Sequence, residues 1–188
     1  MAASSFSRIA TRRGLRGFSL LELMVTLTVA AILFGVGIPS FVDMVRSNRV
    51  AANINELSTA FAIARSEAIR RGANVTVCRS SDDATCGANW ADGWIIFVDN
   101  AASDAGPPVL GPILQVWGEM PGQAAVTTLA NGAATDLAWV RFGARGGART
   151  AAAMPFSVTV EVDGCSGEQL RTLELNTVGR ASVARGTC

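Results

Sequence analysis

Four cysteines, Cys78, Cys86, Cys165 and Cys188, are the residues of this chain with the most evident chemistry. Cysteines form disulfides in an oxidising compartment or bind zinc as thiolates. Zinc sites use short spacings of two to four residues between cysteine ligands, whereas the spacings here are C-x7-C and C-x22-C. The pattern favours disulfides, which place this part of the chain outside the cytoplasm. Of the three possible pairings, proximity along the chain favours Cys78–Cys86 and Cys165–Cys188, although the sequence alone leaves all three open.

Catalytic chemistry has little support in the composition. The chain has no histidine, lysine or tyrosine, so all sixteen basic residues are arginines and the commonest general base and metal ligand are missing. Asp92, Asp99 and Asp104 lack the alternating ligand spacing of a calcium loop, and we expect them in a solvated loop. The chain is therefore expected not to be an enzyme and to need no metal or other cofactor.

One carboxylate lies in an otherwise uncharged apolar segment. Residues 18–38 are 21 residues with a single charged side chain, Glu22, and about 20 apolar residues suffice to cross a bilayer. Four arginines and no acidic residue precede them in 1–17, which predicts a cytoplasmic N-terminus and a translocated C-terminal part. An ordinary signal peptide or signal anchor leaves Glu22 unexplained, because a carboxylate at mid-membrane costs about 2.5–3.5 kcal/mol. We therefore expect Glu22 to have a function.

The basic leader, Gly17, Phe18, the sequence Ser-Leu-Leu-Glu and the apolar segment together resemble the N-terminal signal of type IV pilins and type II secretion pseudopilins. The resemblance implies that a prepilin peptidase cuts between Gly17 and Phe18 and that Phe18 is then N-methylated. Glu22 becomes the fifth residue of the mature chain, where the family keeps a glutamate, and Pro39 the twenty-second, where pilins commonly carry a helix-kinking proline. In that family the glutamate is thought to meet the N-terminal ammonium of a neighbouring subunit. Opposite charges attract strongly in an apolar bundle, so Glu22 is expected to be an assembly residue.

The apolar helix is expected to continue beyond the membrane. Residues 20–71 would form a helix about 78 Å long at 1.5 Å per residue. Gly35, Gly37 and Pro39 should weaken it at the membrane exit, either as a simple kink or as a segment that can unwind. Farther along, apolar residues recur in steps of three and four and predict one buried helical stripe: Val50, Ile54, Leu57, Phe61, Ala64 and Ala68.

After Gly72 the pattern changes to short β-rich runs separated by turn residues. The candidate strands are 74–79, 93–99, 112–119, 136–142, 155–162, 168–175 and 180–184. Two segments, 100–111 and 143–153, are expected to be flexible loops. A long N-terminal helix packed on a mainly antiparallel β-sheet predicts an α+β fold. The predicted organisation is a cleaved leader (1–17), a membrane and assembly helix (18–38), an amphipathic continuation (39–72) and a periplasmic β-rich domain (73–188).

Two further segments narrow the resemblance. "WADGWIIFVDN" and the C-terminal "LNTVGRASVARGTC", with its Gly-Arg turn before the last strand, resemble the FimT/FimU and GspH group of minor pilins and pseudopilins. Core packing is the expected role of Trp90 and Trp94, rather than ligand binding.

The resemblance implies a structural subunit that primes or caps a type IV pilus or a type II secretion pseudopilus. Such a subunit would sit in the bacterial inner membrane with its N-terminus cytoplasmic and its C-terminal domain periplasmic, and join other pilins or pseudopilins in a filament. The alternative is a minor pilin that captures DNA during natural transformation, since some FimT-like proteins bind DNA through a Gly-Arg-x-Arg loop. Here Gly179 and Arg180 are followed by alanine and serine, so the second arginine is missing unless Arg185 replaces it.

Charge also argues against strong DNA binding. Without the leader the chain has twelve arginines against fifteen acidic side chains, a net charge of −3. Proteins that bind nucleic acids normally carry a concentrated basic surface. Weak DNA binding would have to come from a group of arginines that are close in sequence: Arg141, Arg145, Arg149, Arg171, Arg180 and Arg185.

Overall fold

A computed structural model describes residues 18–103 and 106–188 of the chain. The contacts of these residues divide the chain into two compact units, which meet between Phe41 and Val42. The first unit is helical, and we call the second, Val42–Cys188, the head. The leader 1–17, with Gly17, and Asp104 lie outside the described residues.

One helix, α1 (Leu20–Arg71, 52 residues), begins in the first unit and ends in the head. Both bounds agree with the sequence prediction. Its basic last turn contains Arg70 and Arg71, whose charges suit the negative end of the helix dipole. Glu67 accepts hydrogen bonds from both of these arginines.

Ten strands and one short 3-10 helix follow α1. Their bounds are β1 (Val75–Arg79), the 3-10 helix (Trp90–Asp92), β2 (Trp94–Asp99), β3 (Leu110–Trp117), β4 (Ala124–Ala130), β5 (Ala133–Ala134), β6 (Trp139–Phe142), β7 (Ala148–Thr150), β8 (Phe156–Val162), β9 (Leu170–Leu175) and β10 (Ala181–Gly186). All seven predicted strands are present, with ends that differ from the predicted ones by up to three residues.

The strands form two five-stranded sheets. The first sheet has the order β3-β2-β1-β6-β7 and the second has the order β10-β9-β8-β4-β5. Every paired neighbour is antiparallel. The α+β prediction, a long helix packed on antiparallel sheet, is confirmed.

The main core lies between α1 and the inner faces of the two sheets. All six residues of the predicted helical stripe are 0–1% exposed. Phe61 stands at the centre, with ring centroids 6.2–6.3 Å from those of Trp90, Phe142 and Phe156. Burying a large apolar side chain contributes about 1.5–3 kcal/mol, so this stripe fixes α1 to the sheets.

A smaller core covers the outer face of the first sheet. Alternate strand residues point to opposite faces, so Val77 and Ile96 join the main core whereas Cys78, Ile95 and Phe97 form the second cluster. The predicted core role of Trp90 and Trp94 is confirmed, since both belong to the main core.

One expectation about a loop is corrected, and one seven-residue strand had not been predicted. The segment 143–153 contains the three-residue edge strand β7, so it is not a flexible loop throughout. Strand β4 lies between two predicted elements and was missed. Its sequence AAVTTLA is rich in alanine, a residue depleted in strands, and its pairing with β8 over seven residues compensates for that weak preference.

Candidate functional site

The first unit exposes nearly every apolar side chain that the structure describes there. Its large apolar residues from Phe18 to Phe41 are 50–77% exposed. By length and composition α1 is able to cross a membrane. A helix that is apolar on all sides needs an apolar environment, and the described residues of this chain do not supply one.

The polar groups of this segment are of two kinds. The hydroxyls of Thr26 and Thr28 donate hydrogen bonds to the carbonyls of Leu23 and Met24, at 2.9 and 2.8 Å. Such internal hydrogen bonds let a hydroxyl enter an apolar environment at low cost. Glu22 is different, because no hydrogen bond or ion pair of its carboxylate occurs within residues 18–103 and 106–188.

Glu22 lies in the first turn of α1. The helix begins just before it, with a hydrogen bond of 3.1 Å from the Leu23 N–H to the Ser19 carbonyl. A negative charge is favourable at this end of a helix because the helix dipole is positive there. Phe18, which would carry the new amino terminus after cleavage at Gly17, precedes the first helical residue by two positions.

The three residues of the predicted kink lie inside α1. Helical structure is continuous from Leu20 to Arg71, including Gly35, Gly37 and the backbone of Pro39. A Cβ atom added at either glycine would meet no other atom within 4 Å. A kink or an unwound segment at these residues stays a prediction.

Two disulfides join the four cysteines in the pairing that proximity favours. Cys78 and Cys86 have their Cα atoms 5.6 Å apart, and Cys165 and Cys188 have theirs 5.8 Å apart. Both distances fall within the usual range for disulfides. The first bridge ties the loop after β1 back to that strand. The second ties the chain end to the β8–β9 hairpin, where the Cys188 N–H also donates to the Gly167 carbonyl at 3.0 Å.

Asp99 is buried, which corrects the expectation of a solvated loop. Its side chain is 0% exposed and pairs with Arg141, whose side chain is 1% exposed, at 2.6 Å between Nε and Oδ2. Thr76 donates to the same carboxylate, as do the N–H groups of Ala101 and Val109. One carboxylate at the end of β2 therefore holds Ala101, Val109 and the β6 residue Arg141 together. Among the described residues no group of three or more acidic or cysteine side chains is placed to hold a metal ion.

The surroundings of Asp99 keep it ionised. Burial alone would raise the pKa of the Asp99 carboxyl, but the hydrogen bonds from Thr76, Val109, Ala101 and Arg141 more than offset burial. The net result is a pKa below the usual value for aspartate.

The arginines that are close in sequence divide between interior and surface: Arg141 and Arg171 are buried, whereas Arg145, Arg149, Arg180 and Arg185 are exposed. Arg141 is buried against Asp99, and its guanidinium lies 5.0 Å from the centre of the Trp139 ring. Arg171 is 7% exposed and donates to the carbonyls of Glu168 and Leu170 and to the Ser47 hydroxyl. Burial, followed by repulsion from Arg185, lowers the pKa of Arg171. Arg180 and Arg185 are exposed, but the two internal arginines are not available to bind DNA.

The turn between β9 and β10 requires a glycine at position 179. The β9–β10 turn contacts the β6–β7 turn, since the Ala148 N–H donates a hydrogen bond to the Thr177 carbonyl at 2.9 Å. Arg65 of α1 also donates a hydrogen bond to the Gly146 carbonyl, at 3.1 Å. Gly179 has a φ of +77°, and a Cβ atom on it would lie 2.1 Å from the Gly146 carbonyl oxygen. The Gly-Arg motif thus serves to pack the β9–β10 turn against the β6–β7 turn.

Gly179→Ala should therefore lower the free energy of unfolding of the head by about 3 kcal/mol, from backbone strain and the clash with Gly146. Gly132→Ala is the matched control, since Gly132 has a φ of +80° and no atom within 4 Å of an added Cβ. The control should lose only the strain, about 1 kcal/mol. Denaturant unfolding followed by tryptophan fluorescence measures both, and equal losses would show that the close approach to Gly146 is unimportant.

The sequence matches two family models. Residues 53–179 match the type II transport protein GspH, and residues 12–38 match the prokaryotic N-terminal methylation motif. A comparison with curated proteins gave no match in sequence.

Two kinds of solved structure are similar to the chain. The type IV minor pilin FimU of Pseudomonas aeruginosa strain PAO1 has a TM-score of 0.55 and 16% identity, and the alignment covers 73% of this chain and 89% of FimU. The minor pseudopilin EPSH from the type II secretion system of Vibrio cholerae has a TM-score of 0.50 and 11% identity, with 76% and 98% covered. At such identities the likeness establishes the fold.

Proposed function

The chain belongs to the GspH family of type II transport proteins, and we propose that it is the minor pilin or pseudopilin that primes or caps a type IV pilus or type II secretion pseudopilus. One observation carries this proposal. The methylation motif at 12–38 includes the beginning of the helix Leu20–Arg71, and the family match at 53–179 includes its end. The exposed apolar half of that helix suits a membrane or a filament core, and its amphipathic half holds the head.

The inner membrane, a prepilin peptidase and other pilins or pseudopilins are the partners that this function requires. We propose a single membrane pass with the N-terminus cytoplasmic and the head periplasmic. The arginines of the leader favour this orientation, and so do the two disulfides of the head, which need an oxidising compartment. In this proposal the role is structural rather than catalytic. Among the described residues, the buried ion pair Asp99–Arg141 has its hydrogen bonds directed at the chain itself.

Glu22 is the residue that joins the chain to its filament in this proposal. Its carboxylate has no partner among the described residues, and it sits in the most apolar part of the chain. In a filament core, the ammonium group of a neighbour's Phe18 would neutralise it and be neutralised in turn, so that each charge offsets the desolvation of the other.

Processing gives the first test. Mature protein extracted from membranes should begin at Phe18 and carry an N-methyl group, as intact-mass spectrometry would show. Gly17→Leu should leave the full-length precursor in the inner membrane, because it replaces the small residue before the proposed cut with a bulky one.

Gly35→Leu is the control for that variant. It makes the same change within the apolar helix, where an added Cβ meets no other atom. It should be cut normally. A wild-type chain that starts at Met1, or one cut after Gly37, would contradict the proposed processing.

A further inference from the structure

Exposed apolar side chains of the head concentrate on one edge strand. Val109, Leu110, Ile113 and Val116 are 39–49% exposed, and all lie within the eight residues 109–116. Past Met44, the other exposed large apolar side chains of the described residues are scattered: Ile69, Val178 and Val183. Concentration of this kind on a soluble unit marks an interaction surface.

Strand β3 is the last strand of the first sheet, and within the described part of the chain it pairs with β2 alone. In that pairing Val116 lies opposite Ile95, and Ile113 lies opposite Phe97. Ile95 and Phe97 are fully buried members of the outer-face cluster. The cluster therefore continues from β2 onto β3 and ends there at an open edge, with its last side chains exposed.

This edge has little of the usual protection against pairing. Natural edge strands carry charges, above all lysine, or prolines, or are kept short. Residues 106–118 contain no charged side chain, and β3 is eight residues long. Its protection consists of Pro112, which has no N–H to offer a partner, and of two register shifts in the pairing with β2.

We propose that β3 is the surface on which the head binds a neighbouring filament subunit, and that the occupant is an uncharged, extended segment of a different pilin-like subunit that adds as a further strand. The inference rests on the proposed function. An edge backbone is satisfied by another extended backbone, which makes the occupant a strand. The uncharged edge suits an apolar partner, whose side chains would cover Ile113 and Val116 and complete the outer-face cluster.

Pro112 argues against a second copy of this chain as the occupant. Two copies of β3 paired antiparallel would place two prolines in one short ladder and lose two backbone hydrogen bonds. A different subunit meets only one proline. The edge thus favours a different subunit over a copy of itself.

Photo-cross-linking of the full-length chain in cells that assemble the filament tests the proposal. A benzophenone amino acid would replace Ile113 or Val116, and in the control it would replace Val178, which is 61% exposed in the β9–β10 turn. The positions on β3 should give light-dependent adducts with another pilin-like subunit, and Val178 should give none. Adducts only with copies of this chain, or none at all, would overturn the proposal.

A second experiment adds charged side chains to the edge strand β3. The double substitution Ile113→Lys and Val116→Lys adds the charges that protect natural edges, whereas Val178→Lys is its control. The edge variant should be processed and form both disulfides, but its amount in filaments should fall about tenfold or more. An unchanged amount would overturn the proposal while leaving the filament role standing. A wild-type chain absent from filaments would instead count against the proposed function.

Discussion

Glu22→Ala should leave the chain processed and inserted in the membrane but should remove most of it from filaments. Removing one partner of a buried ion pair leaves the other charge buried without a counter-charge, which costs about 3–5 kcal/mol. In an assembly equilibrium this is a factor of hundreds or more. If Glu22 were only a tolerated polar residue in a membrane anchor, the alanine variant would behave like the wild type or better, since a costly charge would be gone.

The amount of Glu22→Ala in sheared filaments, relative to the inner-membrane pool, is the quantity to measure. Glu56→Ala is the matched control, because Glu56 is an exposed glutamate on the same helix and has no ion pair with any residue that the structure describes. The control should enter filaments normally. A normal yield of Glu22→Ala would contradict charge pairing at this subunit.

Asp99→Asn should destabilise the head more than any other single polar change considered for it. The substitution keeps the shape of the side chain but removes the negative charge of Asp99 from the buried guanidinium of Arg141. The expected loss is about 3–5 kcal/mol in the free energy of unfolding. Adding Arg141→Met to Asp99→Asn should recover part of that loss, since the stranded cation is then removed.

Asp136→Asn is the matched control for this prediction. Asp136 pairs with Arg79 on the same sheet, but its side chain is 77% exposed. Exposed pairs contribute at most about 1 kcal/mol, so the control should lose little. All four tryptophans lie in the head, so tryptophan fluorescence during denaturant unfolding reports on this unit. Equal losses in the two variants would show that burial of Asp99 is unimportant.

The pH dependence of stability should follow from the direction of the Asp99 shift. Its pKa is lower in the folded chain, so the ionised carboxylate contributes stability above the unfolded pKa, about 3.9. That contribution is lost as the pH falls through the lower folded value. The difference between the wild type and Asp99→Asn should therefore be constant from about pH 5 to 8 and narrow below about pH 4.

Long periodic segments were predictable from the sequence because many residues repeat the same signal. The 3.6-residue period of the stripe from Val50 to Ala68 specifies both the helix and its buried face. The positions of Gly17, Phe18 and Glu22 specify the proposed processing and assembly site, because these residues are close in sequence.

Features that depend on contacts between residues far apart in the sequence were not predictable in this way. Asp99 and Arg141 are 42 residues apart, and only the register of β2, β1 and β6 brings them together. Without that register Asp99 resembles a loop residue and Arg141 a surface cation. The edge position of β3 is likewise a property of the sheet order. In the sequence, one feature indicates that β3 is unusual: the long run 106–118 has no charged side chain, unlike an ordinary loop followed by a strand.

The content of purified filaments tests the central claim most directly. Pili or pseudopili sheared from cells and freed of membrane should contain this chain, beginning at N-methylated Phe18, in an amount well below that of the major subunit. Quantitative mass spectrometry of the filament fraction and of the inner membrane measures both pools. A chain found only in the membrane, in cells that assemble normal filaments, would contradict its role as a filament subunit.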